Sequence, residues 1–234
     1  MLKSKVTCSQ CSLQDICLPV DLSQQETEQL NAIVHRVEPL NKGDILFRKG
    51  DKLQSIYAVI SGSFKTLIDG TQKQHIVGFY LPGELMGLDA ISGHTYQNTA
   101  FALETSTYCE LPFDRLADLT ISLPKLQNRF FSLLSQEISV STGKQQLITK
   151  ITAAETLAYF LIDISNRYKQ RGFSPYEFYF TLSRADIGNY LGLAEETISR
   201  IFSKFQQKGM IKITRRHIKI LDIVALKKES LSLN

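Results

Sequence analysis

The sequence predicts an α+β chain: an N-terminal jelly-roll-like β barrel, one long helix, and a C-terminal winged helix-turn-helix. Three observations predict it. Short β-rich runs broken by glycine fill residues from about 36 to 111, as the corners of a small barrel require. Apolar periodicity then runs unbroken from Pro124 to about Lys150, one helix of roughly 40 Å at about 1.5 Å per residue. Two short amphipathic runs joined at Gly192, followed by a basic hairpin, complete the pattern.

The length of 234 residues suffices for two domains with real cores, and a hydrophobic content of 43% beside 21% charged residues is that of a globular protein. No apolar run approaches the ~20 residues that span a bilayer. The opening MLKSKVTCSQCSLQDIC lacks the apolar core of a secretory signal, so a cytosolic protein with reduced thiols is expected, with no membrane partner. The net charge of +4 is unevenly spread: residues 1–139 hold 12 Lys+Arg against 15 Asp+Glu, residues 140–234 hold 15 against 8. Positive charge thus gathers in the helix-turn-helix half, as a phosphate-binding surface requires. No Ser/His/Asp set or carboxylate pair can be argued, and the histidines are scattered, with His35 and His75 expected on strands or at the surface. An enzyme is not expected.

Taken in order, the chain begins with a comb of thiols. Cys8, Cys11 and Cys17 form C-x2-C-x5-C, and the fourth cysteine, Cys109, stands in Thr107-Tyr108-Cys109-Glu110-Leu111. Disulfides do not suit the expected compartment, and a polar tail is poor core material, which leaves a metal site. Four thiolates suit zinc or an iron–sulfur cluster; the five-residue gap, atypical of zinc knuckles, tilts the balance slightly to the cluster. Ser23 with Glu26 makes a capping box that opens a helix carrying Leu30, Ile33 and Val34. Strands are expected at 45–47, 56–60, 64–68, 75–79 and 99–102, with Gly43, Gly50, Gly62, Asp69-Gly70, Pro82-Gly83 and Gly93 at the corners. Pro112-Phe113-Asp114 opens a short helix.

On the long helix, Phe130, Phe131, Leu133, Leu134, Ile138, Val140, Leu147 and Ile148 cover more circumference than one core contact needs. Two apolar faces follow, one for its own barrel and one for a second copy of the chain, the seam being Phe131, Leu134, Ile138, Ser141, Gln145 and Ile148. Thr152 with Glu155 caps the next helix, which ends near Gly172. Expected boundaries are 1–20 for the cysteine segment, 21–122 for the barrel, 123–151 for the dimerisation helix and 152–234 for the winged helix-turn-helix.

In that last domain Ser183 and Asp186 cap a helix ending at Gly192, and Ile198, Ile201, Phe202 and Phe205 mark the buried face of the next. The second helix of such a motif enters the DNA major groove, led by its N-terminal side chains, here Glu195, Glu196, Thr197, Ser199 and Arg200. Arginine can grip guanine through two acceptors and glutamate can accept from the cytosine amino group. Lys204 and Arg216, the latter in the wing around Thr214-Arg215-Arg216-His217, are expected on phosphates. Ala194 stands at the helix start, where it caps nothing and costs about 1 kcal/mol relative to threonine.

This order of parts resembles the CRP/FNR superfamily of bacterial transcription regulators, and within it the oxygen-sensing FNR branch. The likeness covers nearly the whole chain. It is carried by the cysteine comb, by Cys109 before Glu110-Leu111-Pro112, by Arg171-Gly172-Phe173-Ser174-Pro175, by DIGNYLG over 186–192 and by ETISR over 196–200. The resemblance implies a cyclic-nucleotide-binding-domain-like barrel and an oxygen-labile [4Fe–4S] cluster on Cys8, Cys11, Cys17 and Cys109. It also implies base reading by Glu196, Ser199 and Arg200 at TTGAT half-sites of an inverted repeat. A homodimer that contacts RNA polymerase, and activates or represses genes of anaerobic respiration, follows from the same likeness. Relatives can carry an aspartate where this chain has Ser141, so the seam here lacks that like-charge repulsion.

The alternative is a CRP-like regulator with a small effector in the barrel and the cysteines on zinc or inert. A cyclic nucleotide would need a cation for its phosphate, yet no lysine or arginine occurs between Lys73 and Arg115. A heme-based gas sensor would leave the comb unexplained.

Overall fold

The computed structural model describes residues 7–70, 74–150 and 152–230, and for 139–150 the helical backbone alone. The chain divides into two compact units, Met1–Ser139 and Val140–Asn234.

The first unit holds strands β1 (His35–Arg36), β2 (Ile45–Phe47), β3 (Ser55–Ser61), β4 (Phe64–Asp69), β5 (Gln74–Tyr80), β6 (Leu85–Met86), β7 (Thr99–Ala102) and β8 (Thr107–Pro112). They form two antiparallel four-stranded sheets, in the orders β1-β8-β3-β6 and β2-β7-β4-β5. β3 explains why its sequence is apolar without alternation. Tyr57 and Val59 face the space between the sheets with Phe47, Phe64, Met86 and Tyr96. Ile56 and Ala58 face outward, into a second core shared with helices. A strand covered on both faces reads as a continuous apolar run. Between the sheets the Phe47 and Tyr96 rings stack at 4.2 Å, and the Tyr96 hydroxyl donates to the Ser55 carbonyl at 2.6 Å, so its burial leaves no orphaned donor.

Helix α1 (Gln24–Ile33) starts from the expected capping box, with Ser23 Oγ accepting from the Glu26 amide and the Glu26 carboxylate from the Ser23 amide. α2 (Phe113–Ser122) leads into α3 (Pro124–Lys150). Leu126 and Phe130 of α3 join Leu18, Ile56, Leu111 and Leu116 in the outer core, and Leu133 and Leu134 pack against its edge. This core lies between the outer wall of the barrel and the helices. Cys17 and Cys109 border it.

The second unit contains α4 (Ala153–Gln170), β9 (Glu177–Tyr179), α5 (Arg184–Leu191), α6 (Glu195–Gln207), β10 (Ile211–Thr214), β11 (His217–Ile220) and α7 (Ile223–Ser230), with a sheet in the order β10-β11-β9. Leu157, Phe160, Leu161 and Ile164 of α4 are buried, as are Ile187, Ile198, Phe202, Phe205 and Leu226. β9 adds a third strand to the hairpin visible in the sequence, and α7 packs against α4. The turn between α5 and α6 rests on Gly188: a Cβ there would lie 2.6 Å from the Leu193 carbonyl oxygen, so only glycine lets the two helices approach. Among the described residues, no helix is long and apolar enough to cross a membrane.

Candidate cysteine centre and nucleic-acid interface

The cysteine segment opens with a single 3-10 turn over Cys8–Gln10. Amide-to-carbonyl bonds close the rest of the loop: Cys11 to Cys8 at 3.3 Å, Gln14 to Cys11 at 3.1 Å and Cys17 to Leu13 at 2.9 Å. Leu13 and Leu18, both buried, pin it to the unit. Cys109 arrives from β8, opposite Arg36 of β1 and Ala58 of β3. All four cysteines line one cavity of about 970 Å³ and none is in a disulfide. Much of the remaining wall is apolar, including Leu30, Val34 and Leu111. Burial therefore dominates the thiol chemistry. It pushes Cys17 up to about 12 and Cys109 up to about 11, and raises Cys8 as well, while Arg36 pulls Cys8 and Cys109 back down. In the metal-free chain these three thiols keep their protons at neutral pH, and a metal must displace them.

The donor set is that of a metal centre. Among the described residues, no three His, Cys, Asp or Glu side chains converge closely enough to hold one ion. Zinc needs its donors about 2.3 Å from a single centre. Four thiols around a shared cavity also suit the separate corners of a polynuclear iron–sulfur cluster.

Three polar residues that the sequence pattern did not single out hold this segment. Asn31 Oδ1 accepts from the Cys8 amide at 3.1 Å and from both terminal nitrogens of Arg36 at 3.4 and 3.3 Å. Arg36 Nη2 in turn stands 4.0 Å from Cys8 Sγ. At the other end Arg129, on α3, donates through Nε to the Cys17 carbonyl at 3.0 Å and through Nη2 to the Ile16 carbonyl. Ile16 packs its side chain onto Gly83, where a Cβ would lie 2.6 Å from Ile16 Cδ1. Arg129 and Cys17 are more than a hundred positions apart, so no local spacing announces the contact.

In the second unit α5 is capped by Ser183 and Asp186 as expected, and α6 starts at Ala194 with no side-chain cap. Ile198, Ile201, Phe202 and Phe205 are buried, and the opposite face carries Glu196, Ser199, Arg200 and Lys204. Thr197 and Ser199 are half-buried at the edges of that face, whereas Glu196, Arg200 and Lys204 are exposed. In the wing, Thr214 pairs with His217 across a two-residue tip where Arg215 takes a left-handed φ of 57°. Arg216 is exposed, and its carbonyl accepts from the Phe180 amide at 2.7 Å, tying the tip to the domain. Glu177 engages His217 at 3.1 Å and Lys219 at 3.6 Å, so Lys219 is partly neutralised. Among the described residues, no side-chain hydrogen bond or ion pair engages Glu196, Arg200, Lys204 or Arg216. These groups are ready for an outside partner.

Of the expected seam on α3, Phe131 and Ile138 stand out at 57% and 67% exposure, while Leu134 is partly buried against its own outer core. Ser141, Gln145 and Ile148 lie where side chains fall outside the described residues.

Comparison with known proteins agrees with this layout. Residues 155–229 match the Crp-like helix-turn-helix domain family and residues 37–122 the cyclic nucleotide-binding domain family. The chain is 45% identical over 221 residues to the transcriptional activator protein FnrA of Stutzerimonas stutzeri, covering 94% of this chain and 90% of that protein. It is 43% identical over 222 residues to the fumarate and nitrate reduction regulatory protein of Salmonella typhimurium, covering 94% and 89%. The solved structure of FixK2 from Bradyrhizobium japonicum has the same fold, with a TM-score of 0.78 at 21% identity, over 86% of this chain and 100% of that one.

Proposed function

The chain belongs to the CRP/FNR superfamily of transcription regulators, in its FNR branch, and on that premise we propose that its four cysteines hold an oxygen-labile [4Fe–4S] cluster that governs DNA binding. It is a DNA-binding transcription regulator and not an enzyme. The observation that carries the cluster reading is the cavity lined by all four cysteines, Cys8, Cys11, Cys17 and Cys109. A cluster held by these four cysteines would supply oxygen sensitivity, with Cys8, Cys11 and Cys17 of the N-terminal loop and Cys109 of β8 sharing it.

The rest is the work of the chain's own groups. Cys109 belongs to a barrel strand and the other three to a loop, so joint ligation ties that loop to the barrel wall. Arg36 brings positive charge to the Cys8 side of the site. In the active homodimer, Phe131 and Ile138 lie in the seam between copies. Glu196, Ser199 and Arg200 read TTGAT-type half-sites, Thr197 lies at the edge of the reading face, and Lys204 and Arg216 neutralise phosphates. The protein works in the cytoplasm, with RNA polymerase as its partner, switching genes of anaerobic metabolism.

Purification without oxygen tests the reading. The expected product is coloured, with broad visible absorption and matching iron and sulfide, and it binds an inverted TTGAT repeat more tightly than after exposure to air. A colourless protein retaining zinc, with DNA binding indifferent to air, would overturn it.

A further inference from the structure

We infer that Arg129 is the positioning residue through which the cysteine loop holds the dimerisation helix, a role that rests on the cluster reading above. Its guanidinium donates to two consecutive carbonyls, those of Ile16 and Cys17. A rigid planar fork meets both acceptors only when the two peptide groups present their oxygens to the same side. The contact is thus selective for one conformation of the loop, at a residue whose side chain is a candidate ligand.

The surroundings make the contact more than an anchor. Arg129 is half-buried, burial lowers its pKa, and the charges that act against that are those of Cys17 first and the Asp21 carboxylate second. Burying part of this cation has a desolvation cost that offsets much of what its two hydrogen bonds to carbonyls return. The same cation is well placed if negative charge gathers beside it, because its guanidinium sits at the Cys17 end of the loop. Four thiolates around an iron–sulfur core carry net negative charge.

The helix is well placed to respond. Leu18 follows Cys17 in sequence, and Leu126 and Phe130 flank Arg129; all three are buried in one core. On the same helix Phe131 and Ile138 are exposed. A shift of Ile16–Leu18 therefore acts on the turn of α3 that sets where its exposed apolar residues point. Gly83 holds the opposite side of the loop through Ile16, so the loop is gripped between a barrel corner and α3.

Two substitutions test this. Arg129→Met keeps the length and the apolar stem but removes the donors, and Arg129→Lys keeps the charge without the fork. In metal-free protein, the rate of Cys17 alkylation by N-ethylmaleimide, followed by peptide mass mapping, should rise several-fold in Arg129→Met and less in Arg129→Lys, with Cys109 little changed. In anaerobically loaded protein, sedimentation gives the ratio of dimer dissociation constants without and with the cluster. That ratio should fall by about tenfold in Arg129→Met at full iron and sulfide content. A merely structural helix residue would weaken both forms alike and leave the ratio where it was. An unchanged ratio in fully loaded Arg129→Met overturns the proposal, and so does unchanged Cys17 alkylation in the metal-free variant. A wild type that takes up no iron fails at the earlier step and removes the cluster reading itself, a result that the alkylation experiment cannot mimic.

Discussion

Cys17 is the residue on which the sensor half converges: its amide donates to Leu13, its carbonyl accepts from Arg129, and its thiol faces the shared cavity. Cys109 is the one proposed ligand supplied by a strand. Replacing it by serine should remove most of the iron from anaerobic preparations, because the chain has no fifth thiol to substitute. Full iron and sulfide in Cys109→Ser would end the four-ligand assignment. Gly83 makes a second case. Its φ of 88° strains any other residue, and a β-carbon there would force the end of the Ile16 side chain to shift. Gly83→Ala should lower stability by about 1–3 kcal/mol, read as a drop in the unfolding midpoint in urea, and a midpoint equal to wild type would contradict the contact. At this scale legibility depended on locality. The three N-terminal cysteines stand out because ten positions hold them all. Asn31, Arg36 and Arg129 do not, because their roles exist only once distant segments meet.

Among elements, α6 shows how much a period can foretell. Four buried apolar residues at helical spacing leave Glu196, Ser199, Arg200 and Lys204 on the opposite face, and that face was readable before any coordinates. Arg200→Ala should cost about 1–3 kcal/mol at the specific site and relax its guanine preference. Lys204→Ala or Arg216→Ala should weaken every sequence alike and reduce the salt dependence. Competition titrations against random DNA distinguish the two classes; equal losses on both DNAs for Arg200→Ala would make it a phosphate contact. The elements that escaped the sequence are short or weakly patterned. β1 and β6 have two residues each and β9 three, too few for an alternation to register. β8 carries Tyr108 toward the inter-sheet core and Cys109 and Leu111 toward the outer one, with both faces only partly apolar. The capping boxes at Ser23, Thr152 and Ser183 were all legible, since a cap and its partner sit three residues apart.

For the molecule as a whole, the proposed switch is the balance between one copy and two. A regulator that responds to its cluster must have a seam too weak to persist without it. Phe131 and Ile138 supply exposed apolar surface on α3, and Ser141 one turn further on brings no like charge to oppose pairing. The metal-free protein should therefore dimerise at micromolar concentrations more readily than a relative with aspartate at that position. Ser141→Asp should shift it toward monomer, and Ser141→Leu should make dimerisation nearly independent of the cluster. Sedimentation across that range reads both, and a Ser141→Leu protein as monomeric as the wild type would move the seam elsewhere.

The barrel has one more consequence, which follows from β3. Its inward residues lie against stacked rings, Phe47 on Tyr96, whereas its outward Ala58 sits opposite Cys109. The chamber where an effector could lodge is upholstered with the protein's own side chains, and the cysteine sulfurs are mounted on the outside of its wall. A small molecule aimed at the chamber would have to evict aromatic rings merely to enter, and on arrival it would still be one strand's thickness from the chemistry. The barrel serves here as a stiff backboard, and inhibitor design belongs on its exterior.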